Sequence, residues 1–274
     1  MRVTAFLKPV SKLILRITFF LHMTANTALV KDMLAHAVHI GHKRQYWSAK
    51  MRDYIYGTQN HTHVFDLSKT ATRLEAVKAA LADLSAKGKS VLIVGTKLQA
   101  RELVREVATA TNCYYIDSKW VPGLLTNFPT IKRRIATYNK IEKDLEDGAL
   151  DTLTKKEKSQ KLKELDKLRK AYEGIKDLKR TPDAVFVVDG YYEGLALAEA
   201  NKLRLPTYAL LGSTGDIDNT TDFVPCNVNS IKSLKFVLDY LKPALFRAKK
   251  DNAFKTERMA PKNGDVAETE ASEE

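Results

Sequence analysis

Apolar positions recur along the chain with two periods. Short unbroken runs at Val64–Leu67, Val91–Val94, Tyr114–Ile116, Val185–Val188 and Tyr208–Leu211 predict strands. The stretches Lys69–Lys87, Lys97–Ala110 and Tyr191–Leu203 between them, and Val228–Ala248 after them, carry the three- and four-residue spacing of helices. Strands rich in Val and Ile with little alternation suit a sheet covered on both faces, and intervening helices imply parallel pairing. The pattern predicts an α/β fold, a doubly wound three-layer sandwich of flavodoxin or Rossmann type with about five parallel strands.

One stretch breaks this alternation. Between residues 127 and 175, Ile131, Ile135, Tyr138, Ile141 and Leu145 form one helical stripe, and Leu162, Leu165, Leu168, Tyr172 and Ile175 form another. Asp147-Gly148 and Asp151 lie between them, and Thr154 with Glu157 makes a capping box for the second helix. A stripe this narrow cannot form the core of a large domain. The two segments predict an antiparallel helical hairpin, inserted after the third strand and projecting from the body.

Composition places charge on this frame. The chain has 274 residues and a net charge of +12, with a pI near 9.5. Residues 1–52 carry nine Lys/Arg against the single acid Asp32, and residues 131–180 carry sixteen against ten acids, so the remainder is near neutral. Basic charge gathered into two regions predicts a polyanion-binding surface, with a solvated charged face as the plainer reading of any one helix. Within the first region the run His39 to Met51 interleaves cations with Tyr46 and Trp47. Its cations suit phosphates and its aromatics suit unpaired bases, although Trp47 and Tyr54 fit equally well as pins holding this arm to the domain.

The ends read differently. Residues 1–28 are an N-terminal extension, of which 1–22 hold Arg2, Lys8, Lys12 and Arg16 and no acid. An organellar transit peptide fits that composition, as does a misassigned start with Met23 as the first residue; Arg16 inside the apolar run argues against a secretory signal. The run Leu13–Leu21 is about half the ~20 residues a membrane span needs. Residues 29–248 are expected to form the α/β domain, with its hairpin at about 127–175. Residues 249–274 read as a disordered tail, basic at first and acidic at the end.

Candidate chemistry is sparse. Cys113 and Cys226 are isolated in apolar surroundings and read as buried thiols. The Val94-Gly95-Thr96-Lys97 turn invites a nucleotide-binding enzyme as the alternative function. Neither the phosphate-loop pattern nor the dinucleotide fingerprint is present there, so an ordinary strand-to-helix turn is expected. His36, His39 and His42 recur every three residues, but Gly41 should end the helix before His42, and no metal site is expected. Asp66, Asp117 and Asp189 at strand ends, with Asp216, Asp218 and Asp222, suit caps and turns better than an acid–base pair. No nucleophile with a supporting base is visible, and the expectation is no catalysis and no cofactor.

An ordered set of motifs gives these features a common source. It comprises Ala37-Val38-His39-Ile40-Gly41-His42, Tyr46-Trp47-Ser48-Ala49-Lys50-Met51, Val94-Gly95-Thr96-Lys97, Lys119 to Asn127, Leu153-Thr154-Lys155-Lys156-Glu157 and Pro182 to Asp189. In order and spacing, from about Leu29 to Ala248, the set resembles the ribosomal protein S2 family of the small subunit, in its bacterial or organellar form. The resemblance implies a five-stranded parallel domain with a protruding two-helix coiled coil. It implies binding to small-subunit rRNA near the head-body junction, among other small-subunit proteins and helping to dock ribosomal protein S1, in support of subunit assembly and translation. No membrane partner is implied. The location implied is the ribosome, in bacterial cytoplasm or, if residues 1–22 are a transit peptide, in a mitochondrion or plastid. The RNA-facing candidates carried over are His39, Lys43, Arg44, Tyr46, Trp47 and Lys50 in the arm, Lys119, Trp120, Thr126 and Asn127 at the base of the hairpin, and Lys132, Arg133 and Arg134 on its first helix. Three positions depart from the family pattern. Pro122 stands where a glycine is common, Gly212 where an aspartate is frequent after the fifth strand, and Cys226 where glycine is usual.

Overall fold

A computed structural model describes residues 27–152 and 154–246. The extension expected at 1–28, except its last two residues, and the tail expected at 249–274 lie outside the described residues, as does Leu153. The chain opens with α1 over residues 27–35, then β1 (Ile40–Lys43), a 3-10 turn (Ala49–Tyr54), β2 (Ile55–Gln59) and β3 (Thr62–Phe65). The body continues through α2 (Leu67–Ala86), β4 (Val91–Val94), α3 (Arg101–Thr111) and β5 (Tyr114–Ile116). Two long helices follow, α4 (Phe128–Glu146) and α5 (Lys155–Tyr172), and after them β6 (Ala184–Val188), α6 (Gly194–Lys202), β7 (Thr207–Leu211), β8 (Asp222–Pro225) and α7 (Ile231–Leu245).

The five parallel strands lie in the order β5-β4-β6-β7-β8. Their registers run from Leu92 opposite Tyr114 and Val185, through Val185 opposite Thr207, to Tyr208 opposite Asp222. Because side chains alternate along each strand, Val91, Ile93, Phe186, Val188 and Leu210 face a layer of α2, α3 and α7. Leu92, Val94, Val185, Val187 and Leu211 face the other layer, made by α6, the 120–128 loop and the start of α4. Burial on both faces accounts for the unbroken apolar runs, each such residue contributing roughly 1.5–3 kcal/mol.

Three expectations are corrected here. The run at Val64–Leu67 is not part of the parallel sheet: Thr62–Phe65 is the middle strand of a separate antiparallel sheet, order β1-β3-β2, and Leu67 already begins α2. Asp66 ends the run by capping that helix, its Oδ1 accepting the Ser68 N–H at 3.0 Å. The fifth parallel strand is instead Asp222–Pro225 at the sheet edge, where proline is tolerated. The helical insertion therefore follows the second strand of the parallel sheet. The first helix also stops at residue 35, since Ala37 adopts φ 56°, and Gly41 lies in β1.

The helical insertion consists of two helices that pack on one another. Ile131, Ile135, Tyr138 and Ile141 of α4 and Leu165 and Tyr172 of α5 are buried, and Tyr138, Ile141 and Leu165 form a small core of their own where the two helices pack together. Leu145 at the far end is 37% exposed. The capping box is present, with the Thr154 hydroxyl accepting the Glu157 N–H and the Glu157 carboxylate accepting the Thr154 N–H. Gly148, at φ 71°, supplies the left-handed turn after Asp147.

Candidate nucleic-acid interface

The arm sits at the carboxyl edge of the parallel sheet. The Ser48 N–H donates to the Ser213 carbonyl at 2.8 Å and the His42 N–H donates to the Ser213 hydroxyl at 2.9 Å, so the loop after β7 anchors both ends of the arm. Lys43, Arg44, Tyr46 and Trp47 are exposed, Tyr46 and Trp47 by 57% and 44%. Trp47 also tilts against His63, with ring centroids 5.6 Å apart, so it serves partly as a pin while keeping an open face. Lys50 is exposed but paired with Asp216 at 2.7 Å and Asp218 at 2.5 Å, and these bonds raise its pKa. His39 is half-buried, with Nδ1 lacking a hydrogen-bond partner among the described residues.

The three regularly spaced histidines have different settings. His36 stacks on Phe236 at 4.8 Å, whereas His42 is bonded to Ser213 and Asn229 and its pKa is lowered chiefly by burial. A Cβ at Gly212 would lie 2.5 Å from His42 Cε1, so this glycine makes room for that ring. Among the described residues no group of three or more His, Cys, Asp or Glu is placed to hold a metal ion.

At the base of the helical pair, Lys119, Thr126 and Asn127 are exposed, but Trp120 is not. It is 6% exposed and its indole N–H donates to Glu199 Oε1 at 2.9 Å, which leaves no ring face for a base. In this structure Trp120 holds the loop. Glu199 is itself 7% exposed and also accepts the N–H groups of Gly123, Leu125 and Thr126 and the Thr126 hydroxyl, at 2.8–3.3 Å. Burial would raise its pKa, but these donors outweigh burial and hold it below the ordinary glutamate value. Beyond this loop Lys132, Arg133 and Arg134 are exposed on α4, and none is in an ion pair among the described residues. The body is tied to the helical pair by Arg105, which pairs with Asp117 at 2.6 Å and approaches Glu173 at 3.8 Å.

The crevice that a nucleotide would use in such a sheet lies between β4 and β6, where successive crossovers diverge to opposite sides. Here the chain fills it. Glu193 Oε1 accepts both the N–H and the hydroxyl of Thr96, at 2.7 and 2.6 Å, and Lys97 Nζ donates to Asp189 at 2.7 Å. Burial raises the Glu193 pKa, with the Thr96 bonds opposing it. The donors that would cradle a phosphate are thus occupied by an internal carboxylate, and the enzyme reading finds no support.

Sequence reasoning missed both glutamates. The available signal was Glu199 beside Ala200 and three residues after Ala196, on the buried face of α6, where an acid needs partners. Among the described residues no helix is long and apolar enough to cross a membrane. The family model described as Ribosomal protein S2 matches residues 33–248, which include the arm, the parallel sheet, the 119–127 loop and the helical pair. The chain belongs to the ribosomal protein S2 family, structural constituents of the small ribosomal subunit that act in translation.

Proposed function

We propose that this chain is a non-catalytic scaffold protein that binds small-subunit rRNA through two basic surfaces and supports subunit assembly. The observation that carries the reading is the division of labour on α4. Ile131, Ile135 and Tyr138 turn inward, while Lys132, Arg133 and Arg134 stand exposed without an acid partner among the described residues. A row of unneutralised cations on a helix whose inward face is already taken up by the core of the body suits a polyanion outside the chain. The arm supplies the second surface, with Lys43 and Arg44 for phosphates and Tyr46 and Trp47 for unpaired bases. Lys119, Thr126 and Asn127 join the two, His39 borders the arm, and Lys50 contributes mainly as a tether to Asp216 and Asp218. Neighbouring small-subunit proteins, ribosomal protein S1 among them, are the proposed protein partners. The proposed organisation is one α/β domain over residues 29–248 with the hairpin at about 127–175 as a coiled-coil arm.

The test is binding to a small-subunit rRNA transcript at increasing salt, alongside cosedimentation with small subunits at low salt. Affinity should fall steeply with salt, because phosphate neutralisation releases counterions. Reversing charge at Lys132, Arg133 and Arg134 should weaken incorporation while leaving the circular-dichroism spectrum folded. A wild-type protein that stays free of subunits at low salt refutes the reading.

A further inference from the structure

We infer that Glu199 is the positioning residue of the RNA interface, fixing the hairpin base against the body without touching RNA. The inference rests on the RNA-binding reading above and concerns how its separate surfaces are held in register. Helix α6 is anchored to the sheet through Ala196, Leu197 and Ala200, each at most 3% exposed, so the Glu199 backbone has little freedom. The segment from Lys119 to Asn127 forms no strand or helix, and its N–H groups have no ladder to join. It is instead wrapped around one carboxylate, with the N–H groups of Gly123, Leu125 and Thr126 converging on it like a nest around a bound anion. Trp120 closes one side, and Gly123 makes the required turn at φ 83°.

The loop in turn sets the start of α4. The Asn127 N–H donates to the Gly123 carbonyl at 2.7 Å, and the Asn127 carbonyl accepts the N–H groups of Thr130 and Ile131. A shift of the nest therefore moves Lys119, Thr126 and Asn127 and re-aims the helix carrying Lys132, Arg133 and Arg134. Folded RNA is stiff and must meet the arm and the hairpin together, so affinity depends on their mutual placement as well as on charge. Replacing the carboxylate by a carboxamide puts an NH2 group against donors, and the loop must rearrange to satisfy them.

The experiment compares the wild-type chain with Glu199→Gln and Trp120→Phe in binding a small-subunit rRNA transcript across a salt series. A Lys132→Ala, Arg133→Ala, Arg134→Ala triple variant serves as the reference for lost phosphate contacts. Glu199→Gln should weaken binding about ten-fold while the slope of log affinity against log salt stays at the wild-type value, since no cation is lost. Trp120→Phe should show a smaller loss with the same unchanged slope, and the triple variant should flatten the slope by about 2–3. Binding by Glu199→Gln within about two-fold of wild type overturns the proposal. So does loss of the folded circular-dichroism signal in both single variants, which would make the carboxylate a support of the whole body. Failure of the wild-type chain to bind refutes the RNA reading itself, and the proposal with it.

Discussion

Gly174 offers a sharp test of how the helical pair is seated. It lies in the 3-10 turn Glu173–Ile175 that returns the chain from α5, and a Cβ there would stand 2.2 Å from the Tyr115 carbonyl oxygen and 2.7 Å from its ring. Its φ is outside the left-handed range, so Gly174→Ala acts through space alone. Ordinary contact begins at 3.4 Å, and the turn must therefore withdraw from β5 by roughly 1 Å. Overpacking of this kind costs about 1–3 kcal/mol, and the upper end applies because the first obstacle is strand backbone. At that upper end, for a chain of this size, the fall in unfolding temperature is about 6–12 °C by scanning calorimetry. A 1 Å step across a helix about 10 Å wide also tilts α5 by roughly 6°, carrying the far end of a ~27 Å helix about 3 Å from its place. The proposed RNA binding should weaken accordingly. An unfolding temperature within about 1 °C of wild type would show that the turn relaxes freely and refute the steric argument.

Leu165→Ala removes the α5 side of the small core with Tyr138 and Ile141, costing about 2–5 kcal/mol locally. Amide exchange should quicken in α4 and α5 while the parallel sheet keeps its protection; uniform loss in both would contradict a separate core. The lowered pKa of Glu199 means that its ionised form is favoured by folding, so its contribution is complete above the ordinary value of 4.5 and is lost as pH falls through the lower folded value. Urea unfolding should show wild type losing more stability than Glu199→Gln over that acid window, and parallel curves would dismiss the linkage. Gly212→Asp should displace the His42 ring and lower the unfolding temperature, because its Cβ would stand 2.5 Å from Cε1; unchanged stability would count against that close fit.

Much of the fold was legible because its signals are local. The unbroken runs in β4, β5, β6 and β7 and the stripes of α4 and α5 each announce themselves within one element. The strand at Asp222–Pro225 was hidden because it opens on an acid and closes on a proline, leaving Phe223 and Val224 as its apolar signal. The small antiparallel sheet was hidden for a related reason. Its four- and five-residue strands meet at Asn60 and His61, both at positive φ, without the glycine that marks most tight hairpins. In the site, exposed cations could be read from composition, but the inward turn of Trp120 could not. Its partner Glu199 is 79 residues away, and although the buried face of α6 marks that acid as needing partners, nothing local to either residue names the other. Glu193 was obscured in the same way, its partner Thr96 lying 97 residues upstream.

The seating of the return turn on β5 has a consequence for solubility. A parallel sheet has two outer strands whose unpaired backbone groups can recruit a strand from another molecule. One of these is β5, only three residues long, with Gly174 so close to the Tyr115 carbonyl that the turn shields that flank. The other is β8, which closes on Pro225, a residue with no N–H to offer. The sheet is thus guarded against edge-to-edge aggregation by one proline and by the turn at the foot of the helical pair, and a chain that loosens that foot exposes a template for association.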